Sequence, residues 1–342
     1  MPDTHFHVTI KEVAAEAGVS VATISRVFNG KGPVRESTSR RVMETAQALH
    51  YAPHGVARSL SMRRTHTVGL LLPDLHGEFF SEVIRGIDGE ARRSGFHLLV
   101  SGFHSDQQEM AAVLRAMRGR VDGLIVMSPD REAAVLCAHL PAGLPVVLLN
   151  NLSGTARTIA IDNYGGAVAM VKHLIGIGHQ RIAFIKGPEQ NADAGERLRG
   201  YRDAMGTDTP LEVDGDFSEE AGYRAAVDLL PLERRPSAIF AANDAMAIGA
   251  LSALRDARVA VPDDIALCGF DDIPISRYVT PRLTTVNVAI AELGRRAFEL
   301  LERRLQDGEE DNQREILPTT LVIRESCGAR LRSEQRYRGG AQ

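Results

Sequence analysis

Cysteine is scarce in this chain: three residues, Cys137, Cys268 and Cys327, among 342. An odd, widely spaced set supports neither a disulfide framework nor a zinc site. No apolar run approaches the ~18–20 residues that a membrane-spanning helix needs. The opening stretch "MPDTHFHVTIKEV" has no apolar core of a secretory leader. Together these absences predict a cytoplasmic protein. A large excess of positive charge is also missing, since the net charge is −4. The usual motifs of catalysis are missing too. No G-x-G-x-x-G follows the first strand-like run "LLLPDLHG", and no H-E-x-x-H occurs. The nearest approach to a G-x-S-x-G elbow, "GVSVA", lacks its second glycine and sits in a helical pattern. A Rossmann oxidoreductase, a serine hydrolase and a zinc protease are therefore disfavoured. The expectation is a protein that is not an enzyme, with no cofactor and no metal.

What is present is a chain long enough for two or three domains, 44% hydrophobic and 25% charged. Its charge is unevenly spread. Residues 1–64 carry nine Lys or Arg and five Asp or Glu, a net +4, which leaves −8 for the remainder. A basic head on an acidic body needs a reason.

In the head, Thr9 and Glu12 of "TIKE" have the spacing of a capping box. Ile10, Val13, Ala14 and Ala17 then recur at helical intervals, and Gly18 ends the run. Ser20 caps a second helix whose Ile24 and Val27 turn back to the first. After "NGKGPVRES" a third helix is expected from about Glu36 to Leu49, with Val42, Ala46 and Leu49 on one face. Helix, tight turn, helix and supporting helix make a helix-turn-helix layout. In that layout the second helix enters the DNA major groove by its N-terminal part. Val21, Ala22 and Arg26 would face the bases, the arginine reading guanine and the small apolar pair suiting a thymine methyl. Ser20, Thr23, Ser25 and Asn29 would hold phosphates, and Thr9 is counted with the DNA-contacting set. A three-helix bundle with a solvated polar face is the alternative that the pattern alone leaves open.

Pro53 and Gly55 interrupt "YAPHGVARSL". "VARSL" is too short for a stable helix by itself. It is either a plain linker or a segment that orders on DNA, with Ala57 and Arg58 at the groove and Leu60 as an apolar wedge.

From His66 onward, apolar strand runs alternate with helical patterns: "TVGLLLPD", "FHLLVSG", "DGLIVMS", "PVVLLN", "TIAID", "RIAFIKG", "SAIFAAND", "DIALCGFDD". Helices are expected over about Phe79–Arg93, Gln107–Arg118, Glu132–His139 and Tyr164–Ile177. The pattern predicts an α/β body with parallel sheets covered on both faces. Two such runs meet near Ile161–Asn163, so the body has two lobes, and ligands bind at the carboxyl ends of its strands. Those ends carry Asp74, His76, Glu78, Phe79 and Phe80, then Asn150, then Asn243 and Asp244, then Asp271 and Asp272. With Arg197 they make a set suited to a neutral polyhydroxylated ligand. Asp244 and Asp272 have an alternative role as helix caps.

The head sequence "VTIKEVAAEAGVSVATISRVFNG" and the segment "YAPHGVARSL" closely resemble the head and hinge helix of the LacI/GalR family of bacterial transcriptional regulators. "AANDAMAIGAL", "GFDD", "PRLTTV" and the Arg197–Gly200 stretch resemble that family's effector-domain motifs. The likeness runs from about Val8 to Arg324. It implies that Val21, Ala22 and Arg26 read bases, as in the galactose-repressor branch, and that Leu60 levers open a central base step. It implies a periplasmic-binding-protein-like body of two interleaved lobes in which Arg197, Asn243 and Asp271 contact the effector. Asn150, Phe79, Phe217 and Ile161 fall where the family lines its cleft. Two positions depart from the family pattern. Gly77-Glu78 stands where Asn-Pro often precedes the paired Phe, and Asn150 replaces a frequent acid. Glu78 and Phe80 are added to the expected effector set on their own chemistry.

The expected organisation is a DNA-binding head over residues 1–52, a hinge over 53–65, an effector-binding and dimerisation body over 66–330 and a tail over 331–342. The tail "LRSEQRYRGGAQ" has no apolar heptad, so a homodimer is expected. The resemblance implies a repressor of carbohydrate genes, at work on a near-palindromic double-stranded DNA operator in the cytoplasm, at the nucleoid. A mono- or oligosaccharide would release it. Alternatives are the same fold answering to a purine corepressor or a protein, or a sugar-binding protein without a DNA function.

Overall fold

The computed structural model describes residues 8–29, 32–51, 64–104, 106–128, 140, 143–150, 158–206, 209–307 and 314–329. They fall into two units that divide between His66 and Thr67. The hinge residues Ala57, Arg58 and Leu60 and the helix expected over 132–139 lie outside the described residues.

The first unit is three helices, α1 (Ile10–Glu16), α2 (Val21–Asn29) and α3 (Glu36–Ala48). Thr9 caps α1 reciprocally: its N–H donates to Glu12 Oε2 at 2.6 Å, and the Glu12 N–H donates to Thr9 Oγ1 at 3.4 Å. Gly18 turns the chain at φ +62°, a conformation that costs glycine little. Ser20 Oγ accepts the Thr23 N–H at 3.2 Å and so starts α2. Val13, Ala14, Ala17, Ile24, Val42 and Ala46 are buried together, with Ile10, Val27 and Leu49 packed at the margin. Every one of the apolar positions read from helical spacing thus joins this core.

The body has two parallel sheets. Strands β1 (Thr67–Leu72), β2 (His97–Gly102), β3 (Gly123–Met127), β4 (Val146–Leu149) and β5 (Thr158–Ile161) belong to the first lobe. Its helices are α4 (Glu78–Arg93) and α5 (Gln107–Met117). The second lobe has β6 (Ile182–Ile185), β7 (Leu211–Val213), β8 (Ala238–Ala241) and β9 (Ala266–Cys268). Its helices are α6 (Asn163–Gly176), α7 (Ala192–Met205), α8 (Glu219–Leu229) and α9 (Asp244–Asp256). Strands β3, β4, β5, β6 and β8 are buried along their whole length, which is why they read as unbroken apolar runs.

The chain then returns. Helix α10 (Ile290–Asp307) packs on α4, and β11 (Arg314–Leu317) pairs with β5. The first sheet therefore has the order β11-β5-β4-β3-β1-β2, and the second β7-β6-β8-β9. Strands β10 (Thr285–Asn287) and β12 (Thr320–Val322) form an antiparallel pair beside the second lobe, where Asn287 bridges to Asp271. The sequence reading had the two runs meet near Ile161–Asn163, and the structure adds two later crossings. They were illegible because β11 alternates exposed and half-buried residues and owes its place to a partner far back in the chain. Among the described residues no helix is long and apolar enough to cross a membrane.

Each lobe has helices brought close by glycine. A methyl group on Gly86 of α4 would run into the Ala291 carbonyl oxygen of α10, and one on Gly222 of α8 into the Met246 carbonyl oxygen of α9. Gly89, also on α4, faces open space. Gly86→Ala is therefore expected to destabilise the body by ~1–3 kcal/mol, because a backbone cannot step aside as a side chain can. Gly89→Ala is expected to be neutral or to stabilise by ~0.4–1 kcal/mol. Thermal melting of the two variants beside the parent measures both; equal melting temperatures would contradict the close packing.

Candidate functional site

On the head, Val21, Ala22 and Arg26 are exposed along one side of α2, while Ile24 is buried on the other. Val21 keeps 41% of its surface in solvent, so its methyl groups are free to meet a partner. Ser20 is exposed, and Thr23 and Ser25 are half-buried. Ser20 Oγ also lies 3.0 Å from Thr23 Oγ1, so the hydroxyls gather at the start of α2. Thr9 spends its side chain on the α1 cap. The side chain of Asn29 lies outside the described residues.

In the body, parallel strands bring their carboxyl ends to one edge of each sheet. Arg197, on the first half of α7, is buried to 3% and is held by every nitrogen of its guanidinium. Nε donates to Asn163 Oδ1 at 2.8 Å and Nη1 to the Ala242 carbonyl at 2.6 Å. Nη2 stands 2.9 Å from Asp271 Oδ1 as an ion pair. The guanidinium lies 3.9 Å from the Phe270 ring centroid and 5.8 Å from that of Phe217. Asn163 passes the network on, its Nδ2 donating to Asp193 Oδ1 at 2.9 Å and, more weakly, to the Ile161 carbonyl at 3.4 Å. Asn150 also hydrogen-bonds Asp193. A cavity of about 180 Å³ touches the edge of this network at Ile161, Asn163 and Asp193 and is otherwise lined by residues outside it, Arg199, Arg314 and Ile316 among them.

One acceptor in this set, Asn150 Oδ1, is buried without a donor among the described residues, while Asp271 Oδ1 is met by Arg197 Nη2 alone, 2.9 Å away. Buried polar atoms in native structures are nearly always hydrogen-bonded. An acceptor left without a donor beside buried carboxylates therefore marks a place for a ligand's donors. The backbone there is strained as well, with φ at +52° for Asn150, +75° for Phe217 and +110° for Asp271, none of them glycine.

Three carboxylates compete for little positive charge. Burial pushes Asp193 up to about 7, against the pull of Arg197 and with a further push from Asp271. Burial likewise raises Asp271 to about 6, Arg197 opposing. Asp244 lies well above the ordinary carboxylate range, through burial first and the charge of Asp271 second.

Of the residues expected at the cleft, the structure joins Arg197, Asp271, Asn150 and Ile161 through this network, with Phe217 beside it. Asn243 is built in differently. Its Oδ1 accepts the Met246 N–H at 2.9 Å to cap α9, and its Nδ2 donates to the Phe217 carbonyl at 2.9 Å. The cap role considered for Asp244 thus belongs to its neighbour Asn243, and Asp272 caps no helix, since the turn of helix at Pro274–Arg277 has no side-chain cap. Asp244 instead accepts from Thr285 Oγ1 at 2.6 Å and the Ile273 N–H at 3.0 Å. Asp272 accepts from Arg324 at 2.5 Å and from Asn287 at 2.8 Å. Asp74 closes its own turn by accepting the Leu75 and His76 N–H groups at 2.6 and 3.0 Å.

Phe79 and Phe80 stand edge to face at 5.6 Å in the first turn of α4. Glu78, expected to meet a ligand, has a partner of its own. Its Oε2 accepts the Ile275 N–H at 2.8 Å, across 197 residues and from one lobe to the other. Glu78→Ala should release that amide and speed its native-state hydrogen exchange ~5-fold, the equivalent of ~1 kcal/mol, whereas Glu78→Gln keeps the acceptor and the protection. Equal exchange in parent and alanine variant would show that the contact holds nothing.

Asp193 and Asn163 were missed by the sequence reading. Asp193 lies four residues before Arg197, one helical turn away, and Asn191 before it is an N-cap that marks the helix start. Asn163 follows β5 at the first crossing. Among the described residues no group of three His, Cys, Asp or Glu side chains could hold a metal ion.

Residues 9–54 match the model of the bacterial regulatory proteins, lacI family, and residues 171–327 match the periplasmic binding protein-like domain. The ribose operon repressor of Escherichia coli (strain K12) is 37% identical over 93% of this chain and 99% of its own length. The HTH-type transcriptional regulator GalR of the same strain is 38% identical over 85% of this chain and 88% of its own. The crystal structure of the Lac repressor dimer bound to operator and the anti-inducer ONPF superposes with a TM-score of 0.85 at 29% identity. It covers 94% of this chain and 99% of that one.

Proposed function

The chain belongs to the LacI family of bacterial regulatory proteins, and from that premise we propose that it is a dimeric repressor of carbohydrate genes, released from its operator by a sugar. It is a sequence-specific DNA-binding regulator and not an enzyme. One observation carries the sugar half of this reading: a buried cluster rich in acceptors around a fully engaged Arg197, with Asn150 Oδ1 left without a donor among the described residues. Hydroxyl groups supply donors to such a wall, and the Phe217 face suits a sugar ring. Arg197, Asp271, Asn150, Asn163 and Asp193 form the floor; Phe79, Phe80 and Ile161 complete the lining, and Asn243 orients Phe217. Glu78 acts between the lobes.

On the head, Val21, Ala22 and Arg26 read base edges, and Ser20, Thr23, Ser25, Asn29 and Thr9 hold the backbone. Ala57, Arg58 and Leu60 are assigned to the minor groove. Residues 1–52, 53–65, 66–330 and 331–342 serve as head, hinge, body and tail. The partner is a second copy of the chain, a reading supported by the likeness to the Lac repressor dimer. The site of action is the cytoplasm, on the nucleoid.

The mechanism is a coupling of two equilibria. Sugar at Arg197 changes the angle between lobes, to which the Glu78–Ile275 contact responds. The lobe angle governs whether the paired hinges order on DNA. Such coupling is on the order of 1–3 kcal/mol and is reciprocal, so operator must weaken sugar binding by the same factor.

Fluorescence anisotropy on labelled DNA from upstream of the gene and its neighbours tests the proposal, at fixed salt and with a panel of mono- and oligosaccharides that includes D-ribose. Binding to one site well above random DNA, relieved by one sugar, is expected. Binding to every DNA alike would sink the repressor reading; specific binding unmoved by any sugar would sink the sugar reading and leave a purine or a protein as effector.

A further inference from the structure

We infer that Asp193 sets the charge of the ligand admitted to this cleft, so that a neutral polyhydroxylated molecule binds and its phosphate ester is refused. The inference rests on the reading of the cleft as the effector site. Phosphate in α/β folds sits on helix N-termini at the carboxyl ends of strands, where free N–H groups and the helix dipole favour an anion. Helices α4, α7 and α9 begin at such ends here, and each carries a carboxylate in its first turn: Glu78, Asp193 and Asp244. Two of the three also spend amides on a side-chain cap, α7 on Asn191 and α9 on Asn243.

The positive charge is spoken for as well. Arg197 is engaged at all three nitrogens, and its charge is matched by Asp271. Most neighbouring cations have partners: Arg199 pairs with Glu196, Lys186 with Asp214, and Arg324 and Arg277 with Asp272; Arg314, at the rim of the cavity that Asp193 also lines, is exposed to solvent, which screens its charge. Asp193 is the surplus. It is 8% exposed, receives hydrogen bonds from the amides of Asn163 and Asn150, and has no cation of its own among the described residues. Once ionised it gives the wall a net negative charge in surroundings of low dielectric constant. A phosphate dianion would meet that buried charge with only the exposed, solvent-screened Arg199 and Arg314 of the cavity rim to offset it. A hydroxyl would donate to it. Asp271 cannot play this part, because its removal would strip Arg197 of its counter-ion. Burial raises Asp193 to about 7, so most of the surplus charge is developed at pH 8.

Isothermal titration of the full chain at pH 8 tests this, with D-ribose, D-galactose and their 5- and 6-phosphates as probes. The parent should bind one free sugar and bind its ester ~100-fold more weakly or worse, and Asp193→Asn should narrow that gap by ~10-fold or more. The asparagine variant should melt no lower than the parent at this pH, since a buried surplus charge has been removed. If it does not fold, Asp193→Ser enters the same titration. An ester that binds the parent as tightly as its free sugar overturns the inference and leaves the sugar reading standing, as does a gap unchanged in the variants. Failure of every sugar and ester to bind the parent overturns the sugar reading itself, and this inference with it.

Discussion

Arg197→Ala should abolish release by sugar while operator binding persists, and it should destabilise the body by ~3–5 kcal/mol, because one partner of a buried ion pair is lost and the other is left uncompensated. Asp271 and Asp193 both lean on this guanidinium. The loss depends on pH in a way whose sign follows from theirs. Both carboxyls titrate above the ordinary range in the folded chain, at about 6 and about 7. A raised carboxyl means that the native state holds its proton longer than the unfolded state. Its contribution to stability is therefore best at low pH and declines as pH rises from ~4 through the folded values, levelling off above them. Without Arg197 both carboxyls rise further and the decline extends to higher pH. The variant should stand closest to the parent near pH 5 and furthest from it near pH 8. Circular dichroism melts at those two values measure this; a constant difference would mean that the guanidinium does not neutralise these carboxylates. Arg197→Lys should rescue little, since one ammonium cannot reach Asn163, Ala242 and Asp271 at once.

Arg26→Ala should weaken operator binding ~10- to 100-fold, the ~1–3 kcal/mol of a bidentate contact to guanine, and should remove the preference at one base pair. The slope of affinity against salt should barely change, because a base contact releases few counter-ions. Sugar affinity of the DNA-free variant should equal the parent's. Anisotropy titrations over a set of single-base operator changes decide the matter. A uniform loss on all DNA, with a shallower salt slope, would make Arg26 a phosphate contact instead.

The parts of the molecule legible beforehand are those in which cause and effect lie within a few residues of each other. A capping box spans three residues, so Thr9 and Glu12 announced α1. A helix face repeats within a turn, so Ile24, Val42 and Ala46 announced the head core. Strands buried on both faces must be apolar throughout, so β3, β4, β6 and β8 showed themselves as uninterrupted runs. Resemblance in the motifs around Arg197 and Asp271 marked the two ends of the buried ion pair.

The local structure of each unit, the kind of body it builds and the polar residues that stand at strand ends were thus already written in the order of the amino acids. Tertiary structure alone decided what those residues do. Asn243 became the helix cap and Asp244 a buried hub, although either could have capped α9. Glu78, chemically suited to a ligand, took an amide 197 residues away. Helix α10 and strand β11 left the second lobe to complete the first. Asp193, unremarkable in "NADAGERLRG", became the surplus charge of the cleft. The physical reason is common to all four. Hydrogen-bond partners and the cost of a charge depend on which groups share a buried space, and contacts between distant segments build that space. A carboxylate's type is written in the chain; whether it is ionised, and against whom, is set by burial and by neighbours that only the folded chain supplies.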